Sequence, residues 1–402
     1  MSNNASSLVA ESVTPPGAGT PNTVSPIAIV GVGCRFAGGV DSPEALWDLL
    51  ESGGNAVREV PPERWDVAEV YDPQPGIPGK TVSRWGGFLD QIGGFDTAGL
   101  GITQYEAQAM DPQHRLLVEM SWEALEHAGI APSSLMGSQT GVYFGIAHHD
   151  YLLRTFDESL VDNPYVMTGN AHSVAAGRVS YLLGLHGPSV AVDTACSSGL
   201  LSVHLACQSL RAGEVDLALA GAAMLMLGPE VGVLFSQWSM LSPNGRCAAF
   251  DADADGFVRS EGCAVIALQR LDDALRDGHR VLAVIRGSAA NSDGRSDNIV
   301  VPSASAQEAV QRRALAVAAV DPATVELVEA HGPGTPTGDP VEFRALSAVY
   351  GPGDKPCAVG SVKTNIGHTE SVSGLAGLIK TVMSLRNGKI PGNLHFKEWN
   401  PD

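Results

Sequence analysis

The sequence predicts an α/β protein whose sheets are buried between helices. Two observations carry this expectation. Short apolar runs alternate along the chain with longer segments that repeat apolar residues at helical spacing. With 402 residues, 44% of them hydrophobic, the chain also has enough apolar material for one large core or two fused ones.

Residues 1–25 are rich in Ser, Asn, Pro, Gly and Thr without apolar periodicity, which predicts a flexible leader. Folded sequence starts at Pro26 with the β-branched run Ile-Ala-Ile-Val, a buried strand. A helix follows, with Ser42 as cap, Pro43 in its first turn, and Leu46, Leu49 and Leu50 on one face before Gly53. A second helix starts at Asp111-Pro112 and carries Leu117, Met120, Ala124 and Ala128 before Gly129. Between the two, residues 58–95 read as a loop-heavy insertion. Further strands are expected at Ser189–Asp193, Val215–Gly221, Ala264–Gln269, Val281–Gly287, Val325–Ala330 and Cys357–Ser361. Helices are expected at Ser197–Arg211, Ala304–Val320 and Ser371–Gly388.

A net charge of −19 disfavours nucleic acid and anionic membrane as general partners, because both need concentrated Lys and Arg. The longest apolar run, around Leu217–Gly228, is too short for a membrane span. No Lys or Arg precedes Arg35, so a secretory signal with a positive n-region is not expected. The six cysteines form no CxxC pair and are expected to be reduced thiols, with the cytoplasm as compartment and no metal.

Two motifs are set aside. Gly31-Val-Gly33 lacks the third glycine of a dinucleotide loop, since position 36 is Phe36; a tight turn at a strand end is expected instead. Asp251, Asp253, Asp255 and Gly256 resemble half of a calcium loop, but Gly262 stands where the bidentate Glu belongs. A solvated acidic turn is expected there.

Asp193-Thr-Ala-Cys196-Ser-Ser-Gly-Leu is different. It sets a cysteine between an apolar strand and an amphipathic helix. The helix N-terminus favours negative charge, which predicts a lowered thiol pKa and a place to hold an oxyanion. Alone, a buried structural cysteine is the safer reading. Two histidines change that. Glu329-Ala-His331-Gly-Pro-Gly-Thr335-Pro-Thr337-Gly-Asp339 and Lys363-Thr-Asn365-Ile-Gly-His368 each leave an expected strand end. Ligand chemistry in α/β folds gathers at such ends, and Cys with two His suits covalent acyl transfer.

The three strings resemble the active-site motifs of the β-ketoacyl synthase family. Met110–Gly129, with MDPQHRLLVEMSWEALEHAG, resembles a further stretch of modular, type I polyketide synthases, and PIAIVGVGCRFAGG and FDADADGFVRSEG match the family too. HGPGT in place of the commoner HGTGT is similar to mycocerosic acid synthase-like enzymes. The resemblance implies a thiolase-like fold, two similar α/β halves (26–250 and 251–402) in a five-layered sandwich, paired as a homodimer around Ser189–Val192. It implies Cys196 as acyl-accepting nucleophile, and His331 and His368 as stabilisers of the enolate formed on decarboxylation. Lys363 is implied as a supporting cation paired with Glu342, with Thr335, Thr337 and Asn365 in support. No cofactor is implied on the chain itself, since substrates arrive on the phosphopantetheine of an acyl carrier protein. Acyltransferase and other polyketide synthase domains are the further implied partners. The sequence stops at Trp399-Asn-Pro-Asp402, before the Gly-Phe-Gly-Gly-Thr-Asn-like loop and closing strands of the family. With those missing, weak condensation is expected. The alternative is a non-condensing homologue serving as decarboxylase or as dimerisation and docking module.

Overall fold

The computed structural model describes residues 24–401 except 158–159, 297 and 353–354; most of the expected leader lies outside the described residues. A six-stranded sheet forms the first core. Its strands are β1 (Ile27–Phe36), β2 (Thr140–Gly145), β3 (Ser189–Val192), β4 (Leu217–Met224), β5 (Gly262–Arg270) and β6 (Ala283–Ile285). They lie in the order β3-β2-β4-β5-β1-β6, parallel at β3-β2-β4 and antiparallel from β4 onward. Among the described residues the second sheet is a parallel pair, β7 (Leu327–Glu329) and β8 (Ala358–Gly360).

Helices separate and cover the sheets. On one face of the large sheet, α2 (Pro112–His127) and α3 (His172–Leu183) bury Leu117, Met120, Ala176 and Val179 against Val30, Phe144 and Val265. On the other, α1 (Pro43–Glu51), α4 (Ser198–Ala212) and α7 (Ser373–Asn387) bury Leu46, Val203, Ala206 and Ile379 against Ile29, Ala220 and Ile266. Helix α7 also meets β7, while α6 (Gly338–Tyr350) sets Leu346 against Val328 and Val359, with α5 (Ala304–Ala318) beside it. The result is five layers: helix, sheet, helix, sheet, helix.

Local chemistry explains the boundaries. Ser42 caps α1 by accepting the Ala45 N–H, and Asp111 caps α2 by accepting that of Gln113. Glycines at positive φ end α3, α4 and α7. The insertion at 58–95 contains little regular structure beyond a four-residue helix, Val67–Val70, and a short ribbon of Val57–Glu59 with Trp85–Gly87. Strand β2, with two glycines in six residues, is missing from the sequence expectations, as are α3 and α6.

Two expectations are corrected. Gly31 and Gly33 form no turn: they lie within β1, where a Cβ would stand 2.0 Å from the Ala124 carbonyl and 2.5 Å from that of Met120. Their role is to let α2 lie directly on the strand. Asp251 is not solvated; it is buried and accepts N–H groups from Asp253, Lys397 and Glu398, tying the 251–256 turn to the chain's last residues. Strand β3 is the sheet's edge, with Ser189 exposed and Val190–Val192 half-buried.

Gly31→Ala is expected to cost about 3 kcal/mol or more, because backbone must move to admit the methyl group. Urea denaturation checks this; an unchanged midpoint would mean that α2 shifts freely on β1.

Candidate active site

The nucleophile candidate stands on a sharp turn. Ala195 adopts φ 53°, a left-handed conformation uncommon outside glycine, and its N–H is held by the Asp193 carboxylate. This turn carries Cys196 off the end of β3 and into a short 3-10 turn that leads to α4. Ser198 braces the turn, donating to the Ala195 carbonyl and accepting the Thr194 N–H. At Gly199, a Cβ would sit 2.7 Å from the Ser371 carbonyl, so the start of α4 presses on the loop that bears His368.

That second loop is fixed on both sides. The His368 N–H donates to Val258 and its carbonyl accepts from Ser260, while Ser371 donates to Ala223. Its ring is oriented as well. Nδ1 accepts the Glu370 N–H at 3.0 Å, and the Ser373 hydroxyl lies 2.8 Å away. A backbone N–H can only donate, so Nδ1 is unprotonated and the ring's proton sits on Nε2.

His331 is set by carboxylates. Glu342 accepts the N–H groups of His331 and Gly332, both at 2.7 Å. Asp339, buried, accepts from Phe250, Gly334 and Thr335, which shapes the following turn. Pro333 lies between these anchored groups and has no N–H to satisfy. The two imidazoles meet edge to face, with centroids 5.3 Å apart and planes at 82°.

Cys196, His331 and His368 line one cavity of about 390 Å³. Thr335, Thr337, Glu342 and Glu370 share it, and its wall is apolar, with Phe235, Trp238, Met240, Phe257, Val300 and Val301. Lys363 is buried close by, since its charge acts on Cys196 and on both histidines. Asn365 does not line this cavity. It is buried and donates to the Gly54 carbonyl.

Electrostatics correct two further expectations. The Cys196 thiol is not lowered. Burial, then the Glu370 charge, push it up to about 11, against a smaller pull from Lys363. Nor does Lys363 pair directly with Glu342, whose two oxygens are taken by backbone N–H groups. Burial lowers the Lys363 pKa, and Glu329 and Glu342 oppose this through space. Both histidines are held neutral. His331 keeps an edge open to the cavity yet is ringed by protein, which together with Lys363 pushes it down to about 3. His368 is pushed well below the ordinary value by burial, then by Lys363, His331 and Arg259.

Sequence reasoning missed Asp339, which arranges the His331 turn, and Glu370, which lines the cavity. Asp339 closes the second quoted motif, and Glu370 stands two residues past the end of the third. Their acidic type was the available signal.

Comparison with known proteins settles the family. Residues 24–274 match the family "Beta-ketoacyl synthase, N-terminal domain" and residues 282–397 "Beta-ketoacyl synthase, C-terminal domain". The chain belongs to the β-ketoacyl synthase family. It is 57% identical over 373 residues to a phthioceranic/hydroxyphthioceranic acid synthase of Mycobacterium tuberculosis, covering 93% of this chain and 18% of that protein. A mycocerosic acid synthase-like polyketide synthase of the same organism is 56% identical over 373 residues, with the same coverage. The chain thus spans about a fifth of the length of these relatives. Among solved ketosynthases, the oxazolomycin ketosynthase domain of Streptomyces albus JA3453 superposes with a TM-score of 0.89 at 37% identity, covering 94% of this chain and 66% of that one. The ketosynthase from module 6 of the bacillaene synthase of Bacillus subtilis 168 gives 0.85 at 39%, covering 94% and 64%. The thiolase-like fold expected from the motifs is therefore the fold of this chain.

With so high a thiol pKa, iodoacetamide alkylation of Cys196 should rise about tenfold per pH unit between roughly pH 7 and pH 9, following the thiolate fraction. Peptide mapping after timed alkylation measures it. A plateau below pH 8 would mean an activated thiolate.

Proposed function

We propose that this chain is the ketosynthase of a polyketide or fatty-acid assembly line, joining acyl units by decarboxylative Claisen condensation. The observation that carries the proposal is one cavity holding a cysteine on a sharp turn and two neutral imidazoles, one with its Nε2–H fixed. In this reading Cys196 Sγ attacks the carbonyl of an acyl thioester carried on phosphopantetheine. The carrier's sulfur leaves with the thiol proton, and the acyl group is now on Cys196. A malonyl-type unit then enters on an acyl carrier protein. Its C–C bond breaks, CO2 departs, and the electron pair becomes an enolate with its charge on the thioester oxygen. Imidazole N–H donors of His331 and His368 stabilise that oxygen, each by about 3 kcal/mol on the scale of oxyanion-hole donors. The enolate carbon attacks the acyl-Cys carbonyl, the Cys196 sulfur leaves and regains a proton, and a β-ketoacyl thioester departs.

Lys363 supports the centre as a through-space cation, and Thr335 and Thr337 face the incoming carrier arm from the cavity wall. No cofactor bound to this chain is needed in this scheme. The working protein is a homodimer. Support comes from β3, an edge strand with half-buried apolar residues, and from Tyr181 on neighbouring α3, which is 84% exposed. Acyl carrier protein, acyltransferase and other synthase domains are its proposed partners, consistent with relatives about five times its length. Six free thiols, four of them buried, fit a reducing cytoplasm.

Intact mass spectrometry with acyl thioesters should find one acyl group, mapped to Cys196; an acyl group on Cys207 or Cys263 instead would sink the assignment. His331→Ala and His368→Ala should still form acyl-Cys196 but lose about 100-fold or more in CO2 release from malonyl carrier protein. Wild-type decarboxylation in both would contradict the roles given to them. Light scattering should give twice the chain mass, and a monomer at micromolar concentration would count against the dimer.

A further inference from the structure

The catalytic scheme leaves unused a carboxylate that lies in the same cavity. Glu370 follows His368 by two residues, is 4% exposed, and adopts φ 42°. A non-glycine residue persists in that region only where its surroundings hold it. Here the hold is visible. The Arg259 Nε–H donates to Oε1 at 2.6 Å, and the His148 Nε2–H donates to Oε2 at 2.6 Å. These partners come from distant parts of the chain, Arg259 from the segment before β5 and His148 from the loop after β2. Because of this conformation the Glu370 N–H reaches Nδ1 of His368.

We propose that the Glu370 side chain is a positioning residue: clamped between Arg259 and His148, it holds the left-handed turn that aims His368, and it fixes one negative charge beside Cys196. The inference rests on the catalytic reading above. Burial alone would raise the Glu370 carboxyl, but Arg259 and His148 outweigh it and keep the group ionised. The other charged or titratable groups around Cys196 are Lys363, His331, His368 and Glu342 in and beneath the cavity, and Asp193 on its own turn. Set beside them, Glu370 is the acidic group that most opposes thiolate formation. The same charge that restrains the free thiol has no such effect once sulfur is acylated and carries no charge to oppose. The charge therefore favours the thiol form of the free cysteine and leaves the acyl-enzyme unaffected.

Two variants separate aim from charge. Glu370→Gln keeps shape and removes the charge, so alkylation of Cys196 by iodoacetamide at pH 7.5 should speed up about 3- to 10-fold, its pH profile moving to lower pH. CO2 release from malonyl carrier protein by the same variant should fall about 10-fold or more as the clamp weakens. His148→Ala keeps the charge and removes one anchor; it should slow CO2 release without speeding alkylation. The imidazole ¹⁵N shifts of His368 should report the Nε2–H form in wild type and a mixture of tautomers in His148→Ala. An unchanged alkylation profile in Glu370→Gln, or wild-type CO2 release in both variants, overturns the proposal. Failure of the underlying reading looks different: wild-type protein that releases no CO2, or His368→Ala that releases it normally.

Discussion

The close approach of the α4 N-terminus to the His368 loop is the constraint on which the rest of this structure depends. Gly199 meets the Ser371 carbonyl where any side chain would push the two apart. One partner belongs to the turn that follows the edge of the first sheet, the other to the loop that follows the second. Their contact brings Cys196 and the histidines, more than 130 residues apart in sequence, to one cavity. The glycines of β1 serve the same end at a distance, since α2 could not otherwise lie flat on the sheet that carries the cysteine turn.

A second theme is the use of acidic side chains inside the protein. Glu342, Asp339, Asp251 and Glu261 each accept two or more backbone N–H groups from loops. Glu329 binds the Val362 N–H and the Lys380 ammonium, pinning β7 to α7. Buried carboxylates are tolerated because several donors replace the water they lose. Part of the chain's strongly acidic composition is therefore internal scaffolding and not surface charge.

This explains what the sequence could and could not disclose. Cys196, His331 and His368 were legible because each stands in a local pattern, a strand end running into Gly-rich loop or helix. The alternating layers were legible from apolar periodicity, as with Ser42 and Pro43 opening α1. The thiol's acidity was not legible because the helix terminus is a local feature, whereas the burial of Cys196 and then the charge of Glu370 arise only through folding. Arg259 and His148 stand 111 and 222 residues from Glu370, so nothing in their spacing announces a clamp. Strand β2 escaped notice because its two glycines, at 141 and 145, weaken the usual strand signal while admitting close neighbours.

Strand β4, Leu-Ala-Leu-Ala-Gly-Ala-Ala-Met, is fully buried with almost no side-chain bulk at its centre. Layers stacked on such small residues pack closely, and the loop that bears His368 is tied to this strand where Ser371 donates to the Ala223 carbonyl. The wall opposite is built otherwise, from the short helix at Glu230–Gln237 with Trp238 and Met240 beyond it, and from the loop at Val300–Pro302. Trp238 and Val300 are largely exposed and belong to neither sheet. Diversification and engineering can therefore treat the two as separate parts: the wall can be recut for a different acyl shape while the reacting atoms keep their places.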